Sequence, residues 1–313
     1  MFKRLCGAAM AVALIGFSGA GHAAPQDSAS PAPAPQATPA PVIRDADPAL
    51  WVVKDKDTTI YLFGTIHVLK PGLSWFDEAV RKAFDASNTL VLEMKMPDQA
   101  AMQALVTKLA VDPDGPPLTD KIPAGKDRTE YANAMTGLGL PPTAFDRYDP
   151  WFASISLTML PMVKLGYRPD QGPETVLTAA AEKDGKQIVG LETAEQQFGY
   201  FDHLSQKAQI DMLMSTIEQM PELPGMMNRM VDYWAKGDPK DLAKELNEGM
   251  EDQPELTRIL LTDRNIRWAH WIKQRMAKPG TVFIAVGAGH LAGANSVQMQ
   301  LKKEGLKARR IRY

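Results

Sequence analysis

Two stretches of the chain set a histidine in the same context. FGTIH (63–67) and VGAGH (286–290) each close an apolar run with a glycine, two further residues and a histidine. A glycine after a strand permits a tight turn and a close backbone approach. The histidine then projects above the strand end, and in open parallel sheets that edge is where ligands bind. On neighbouring strands His67 and His290 would face each other. The run NTLVLEM (88–94) carries Glu93 toward the same edge. Two imidazoles and a carboxylate can ligate a divalent metal that activates water. Alternatively, one histidine oriented by the carboxylate can serve as general base on water directly.

Other residues compete for these roles. Gly287-x-Gly289-x-x-Ala292 has the outline of a dinucleotide fingerprint, which opens a domain and expects an acidic residue about 20 positions on. Here the chain ends at that distance in a basic segment, so Gly64 and Gly287 read better as turn glycines that present the histidines. GLETAEQQ (190–197) places Glu192 at the end of a third strand, as a cleft residue or as a carboxylate beside a helix N-terminus. Thr193 can cap that helix, with Gln196 three residues on. On ELTRILLTDRNIRWAHWIKQRMA (255–277) a helical wheel groups Asp263 and His270 with Leu256, Ile259, Leu260 and Ile266, which predicts a buried Asp263–His270 pair. Arg264 and Asn265 fall at the edge and back of that stripe, where alone they would be solvated. His203 reads as ordinary. There is no G-x-S-x-G, HExxH, P-loop or EF-hand pattern.

These residues need a scaffold. WVVKDKDTTIYLFGTIH reads as two strands around a polar turn, SWFDEAVRKAFDAS as a helix with Ser74 as N-cap, and NTLVLEM as a buried strand. The C-terminus repeats the plan: strand TVFIAV, turn GAGH, helix SVQMQLKKE, and last strand LKARRIRY. Each unit is a right-handed βαβ candidate. Between them helices are expected near 98–110, 127–137, 150–165, 173–184, 193–219, 225–236, 239–250 and 254–277, interrupted by one strand over 186–192. The frequent methionines read as adaptable core filler, with an apolar ligand groove as the alternative. The fold class is therefore α/β with α+β character: a central, mostly parallel sheet, two strand–GxxH–helix–strand units and a large helical insertion.

The N-terminus carries no core. Lys3 and Arg4 precede an apolar stretch over residues 5–17, and Gly21 and Ala23 are small residues at the −3 and −1 positions of a cleavage site. Residues 1–23 read as a signal peptide, the stretch being too short for the ~20 residues a bilayer span needs. Residues 24–43 are a Pro/Ala-rich linker and 44–313 the folded domain. Without Lys3 and Arg4 the count is 33 basic against 37 acidic residues, a formal −4, which gives no electrostatic basis for nucleic-acid binding. Cys6 falls within the signal, so the exported chain has no thiol. This suits a periplasmic protein without disulfides and without a membrane span after cleavage.

Taken in order, LFGTIHVLKP, LVLEM, GLETAEQQ, TDRNIRWA and VGAGHLAG resemble the TraB/GumN family, whose animal relatives are the Tiki proteases. The resemblance covers about residues 45–313. It implies a fold similar to erythromycin esterase and the ChaN-like haem-binding proteins, a sheet flanked by helices. Tiki proteins are metal-dependent proteases that use manganese or cobalt, and their two GxxH motifs and a glutamate are needed for activity. These map onto Gly64–His67, Gly287–His290 and Glu93. The resemblance thus implies a metallopeptidase acting on a peptide or protein, with Mn or Co, or else Zn, held by His67, Glu93 and His290. Glu192, Arg264 and Asn265 would orient the site or stabilise developing negative charge. Erythromycin esterases use a similar set without an obligatory metal, so a metal-independent esterase is an alternative. A non-catalytic protein holding peptide, haem or glycan in the same cleft is another. Glu174, in GYRPDQGPETVL, stands where bacterial members often carry aspartate, and no role follows for it from the resemblance.

Overall fold

The computed structural model describes residues 43–247 and 253–313. The expected signal peptide, the expected linker up to residue 42 and the end of the helix expected over 239–250 lie outside the described residues. The strands are β1 Arg44–Asp45, β2 Leu50–Lys54, β3 Thr58–Thr65, β4 Leu73–Ser74, β5 Thr89–Met94, β6 Gln187–Glu192, β7 Gly280–Gly287 and β8 Arg309–Ile311. The helices are α1 Glu78–Asp85, α2 Gln99–Ala110, α3 Leu118–Lys121, α4 Lys126–Gly137, α5 Pro150–Lys164, α6 Pro173–Lys183, α7 Ala194–Asp202, α8 Gln206–Gln219, α9 Leu223–Ala235, α10 Pro239–Asn247, α11 Pro254–Thr257, α12 Asp263–Met276 and α13 Val297–Lys303.

Six strands form one sheet in the order β6-β5-β7-β3-β2-β8. β6, β5, β7 and β3 run parallel, and β2 is antiparallel to both its neighbours. The sheet is therefore mostly parallel, as expected. The two GxxH strands are neighbours along their whole length, from Thr58↔Gly280 to Thr65↔Gly287. They can lie at the centre because both faces are apolar. Ile60, Leu62, Val282 and Ile284 pack on the α12 side, and Phe63, Phe283 and Ala285 on the other. Both strand–GxxH–helix–strand units exist, but in neither do the two strands touch. β7 lies between β3 and β5, and β3 and β2 lie between β7 and β8.

The helical insertion has its own core around Trp151, Phe152, Phe198 and Phe201. Met226, Met227 and Met230 are buried around Trp234, as core filler. Two helix boundaries differ from expectation. Ser74 does not cap α1: it is held in the β1–β4 pair opposite Asp45, its hydroxyl bonds the Asp77 side chain, and Asp77 becomes the N-cap. The helix expected over 193–219 breaks at residues 203–205, where the Ser205 hydroxyl accepts the Ala208 N–H at 3.3 Å and starts α8.

The largest difference lies in the helix over 254–277. Residues Arg258–Thr262 form a π turn between α11 and α12. A π turn takes up one residue more than an α turn, so everything after it is set back by about 100° relative to a straight wheel. That rotation carries Arg264, Asn265, Trp268 and Ile272 onto the face of Leu256 and Leu260, and all are buried. It carries Ile266 out to 48 % exposure. The predicted Asp263–His270 pair is not formed: Asp263 binds Arg258 at 2.8 Å, and His270 lies exposed against Gln274.

Because the extra residue is already accommodated, deleting Ile259 should close the π turn into an α turn and keep Arg264 in place, costing about 1–2 kcal/mol for the lost apolar side chain. Deleting Ile266 from the regular part of α12 should force one half of the buried face off the sheet and cost about 3 kcal/mol or more. Urea denaturation of the two variants checks the ordering.

Candidate functional site

The site is built where β3, β5, β6 and β7 end together. Glu93 lies near the end of β5, Glu192 closes β6, and Gly287 closes β7. The Gly287 N–H donates to Glu93 Oε1 at 2.7 Å. A Cβ on Gly287 would stand 3.1 Å from that same oxygen, so the glycine permits the contact. A short 3₁₀ turn, Ala288–Leu291, then carries His290. His67 follows β3 in a bend rather than a helical turn. Against that bend lies Gly172, where a Cβ would fall 2.1 Å from the His67 carbonyl oxygen. Only a glycine lets the N-terminus of α6 come this close, and the approach delivers Glu174.

The two histidines do not face each other as equals. Gly287 stands between them: a Cβ there would be 3.7 Å from His67 Nε2 and 3.7 Å from His290 Cδ2. His67 lines a cleft of about 320 Å³, with Glu93, Glu174 and Gln197 beside it and Leu92, Met94 and Ile188 further along. His290 does not line that cleft and is buried behind Glu93. The symmetry of the two GxxH motifs is thus confined to the sequence.

On the cleft side, His67 Nδ1 lies 2.6 Å from Glu174 Oε1, which also accepts the Thr65 hydroxyl at 2.5 Å. With Nδ1 donating to the carboxylate, Nε2 is the free nitrogen of the ring. On the buried side, Arg264 joins both carboxylates. Its Nη2 donates to Glu93 Oε2 at 2.6 Å and Glu192 Oε2 at 2.8 Å, and its Nε reaches both Glu192 oxygens at 3.1 Å. Gln197 Nε2 bridges the same carboxylates at 2.9 and 3.2 Å. Tyr200 and Trp268 donate to Glu192 Oε1 at 3.2 and 3.1 Å. His290 Nδ1 lies 2.6 Å from Asn265 Oδ1, so Nδ1 is the donor, and the Nε2 lone pair receives Arg264 Nη1 at 3.2 Å. Trp268 packs on the imidazole with centroids 4.4 Å apart.

Identical side chains consequently titrate in opposite directions. Burial works against the charged form of His67, but Glu174 and then Glu93 outweigh it and raise its pKa to about 9. Burial and the Arg264 charge push His290 down to about 3. Burial alone would raise Glu93; Arg264, His290, His67 and the Gly287 N–H hold it at about 2.

The donor set expected for a metal was His67, Glu93 and His290. As arranged, it does not fit one. A neutral imidazole nitrogen has a single lone pair, and that of His290 is engaged by a guanidinium. Glu93 Oε2 already accepts two N–H groups, and Oε1 accepts Gly287. Among the described residues no group of three or more His, Cys, Asp or Glu is arranged to hold a metal ion. The structure brings together His67, Glu93, Glu192, Arg264, Asn265, Gly287 and His290; Gly64 contributes its carbonyl to Trp234 Nε1 at 2.7 Å. Sequence reasoning assigned no role to Glu174, Gln197 or Trp268. Gln197 and Trp268 lie within the motifs GLETAEQQ and TDRNIRWA, which was the available signal; for Glu174 the signal was its place after Gly172, where relatives often carry aspartate.

A mostly parallel sheet with a carboxylate–arginine–histidine cluster at its carboxyl edge defines the class. The chain belongs to the TraB/PrgY/gumN family, whose sequence profile matches residues 49–310. YbaP of Escherichia coli (strain K12) is 23% identical over 259 residues, covering 82% of this chain and 92% of its own. A Treponema pallidum (strain Nichols) protein is 19% identical over 277 residues, covering 82% and 80%. Metalloprotease TIKI2 of Danio rerio is 24% identical over 314 residues, covering 84% of this chain and 60% of the zebrafish protein. No solved structure matches.

The opposed histidine shifts set a stability profile. His67, raised, contributes fully below its unfolded value of 6.5 and loses that contribution as pH rises through about 9. His290, depressed, is held neutral in the fold, so stability falls as pH drops from 6.5 toward about 3. Glu93 adds a loss as pH falls from 4.5 through about 2. Denaturation midpoints measured against pH should therefore peak near 6.5. His67→Gln should flatten the alkaline limb, and His290→Gln the upper part of the acid limb.

Proposed function

We propose that this protein is an exported, periplasmic hydrolase that adds water to a carbonyl-centred bond of a peptide or protein substrate held in the cleft. The observation that carries the reading is the His67–Glu174 pair: a carboxylate-oriented imidazole, 2.6 Å apart, at the wall of the cleft. The word metalloprotease in the zebrafish relative's name supports a peptide as substrate. Export rests on the sequence alone: the basic Lys3 and Arg4, the apolar stretch after them, and Gly21 and Ala23.

In this reading Glu174 fixes the tautomer, so His67 Nε2 is the nitrogen presented to water. Neutral His67 takes a proton from water as its oxygen adds to the substrate carbonyl carbon. The imidazolium formed is stabilised by Glu174, and Nε2–H then passes the proton to the departing amine or alkoxide as the bond breaks. Glu93 Oε1, beside Gly287, places a fixed negative charge near that imidazolium. Arg264 has its N–H groups committed to Glu93, Glu192, His290 and the Leu260 carbonyl, and Gln197 Nε2 donates to the two carboxylates, so they hold the cluster in place rather than clasp the substrate.

Digestion of a peptide library by the purified mature protein tests the activity. Because the base titrates near 9, kcat/KM should climb about tenfold per pH unit below that value and level off above it. His67→Gln should lose about 10²–10⁴-fold. Glu174→Gln should shift the levelling point to lower pH, since it removes the charge that raises His67. Activity that survives chelator with this profile supports the reading. Activity lost in EDTA and restored by Mn²⁺ or Co²⁺ overturns the direct-base route in favour of a metal-dependent peptidase. A Soret shift on haem titration that is lost in His67→Ala, with no hydrolysis, overturns both in favour of a binding protein.

A further inference from the structure

The disagreement between the expected metal set and the observed contacts has a specific form. Three atoms able to ligate a metal accept from one guanidinium, Glu93 Oε2 at 2.6 Å, Glu192 Oε2 at 2.8 Å and His290 Nε2 at 3.2 Å, beside the Leu260 carbonyl at 3.3 Å. Two carboxylate oxygens and an imidazole nitrogen are a donor set that suits a first-row divalent cation. Asn265 Oδ1, accepting from His290 Nδ1–H, already holds the imidazole in the tautomer such a ligand requires. We infer that the Arg264 guanidinium is the cation of this cluster and that its presence keeps Glu93, Glu192 and His290 closed to a divalent metal. The set differs from the one read in the sequence: Glu192 takes the place of His67, which is turned to the cleft and paired with Glu174.

Two arguments support occupancy by the arginine. The first is valence. His290 has one lone pair, so its contact with Arg264 and ligation of a metal are mutually exclusive. The second is charge balance. Glu93 and Glu192 meet Arg264, and the half-exposed Arg267 approaches Glu192 Oε1 at 3.7 Å. Two carboxylates against two guanidiniums need no added ion. A divalent ion bound to His290 would stand a few ångströms from an obligate cation in a buried site, where such repulsion is strong. Trp268 leaves the arginine little room to withdraw, since its guanidinium carbon lies 4.7 Å from the centre of the indole ring, which itself packs on His290.

Titration of the full-length mature protein with Co²⁺, followed by calorimetry and by visible absorption of the bound ion, tests this without reference to activity. The wild type should bind no Co²⁺ at this cluster. Arg264→Ala, which removes the charge and leaves space among the three donors, should bind one Co²⁺ about 100-fold more tightly or better, with a nitrogen–oxygen ligand spectrum. That binding should vanish in the Arg264→Ala, His290→Gln double variant. A folded Arg264→Ala protein that takes up no Co²⁺ overturns the inference. So does stoichiometric Co²⁺ binding by the wild type that is lost in His290→Gln, a measurement that stands even where Arg264→Ala does not fold. Failure of hydrolysis in the peptide digest leaves these outcomes unchanged, so the two readings fail separately.

Discussion

The Arg264 guanidinium, buried between Glu93 and Glu192, is the interaction on which the rest of the site depends. Bringing a carboxylate into an apolar sheet end is costly unless it is paired and fully hydrogen-bonded. Here the pairing is planar and forked, which an arginine provides and a lysine does not. Removing one partner of such a buried pair costs about 3–5 kcal/mol, because the other charge is left uncompensated. Gln197, Tyr200, Trp268 and the Gly287 N–H occupy the remaining carboxylate positions. The cluster ties three parallel strands to α7 and α12, and so serves as a structural clamp.

The clamp also divides two like motifs into unlike roles. Behind it, His290 meets a positive charge and stays neutral, with its tautomer set by Asn265. In front of it, His67 meets Glu174 and holds its proton strongly. The difference owes nothing to the histidines themselves. It comes from which helix N-terminus or helix face packs on each strand end. The π turn at Arg258–Thr262 brings Arg264 and Asn265 to one, and the close approach at Gly172 brings Glu174 to the other. The first is a departure from regular helical geometry beside the site, and the second is a close backbone contact that only a glycine allows.

Much of the frame was legible in residue order. The strands of the main sheet, and the placing of Glu93, Glu192 and the two histidines at strand ends, follow from apolar runs and where they stop; that the two GxxH strands are neighbours came from the sheet order. The Thr193–Gln196 capping box was legible as well, since capping is local. The helix over 254–277 misled because a wheel assumes one constant step, and a single extra residue moves every later side chain to a new face. Trp268 was hidden by that phase error. Glu174 was hidden because its partner lies 107 positions away.

The sequence by itself determined which groups stand at the edge of the sheet: alternation and run length decide where strands lie, and a strand's end is a property of its own residues. Tertiary structure alone decided what those groups meet, and hence their charge. Whether an imidazole faces a carboxylate or a guanidinium depends on helix phase and on backbone approaches between distant segments. At distances of about 3 Å in a buried site, that choice outweighs any intrinsic preference of the side chain.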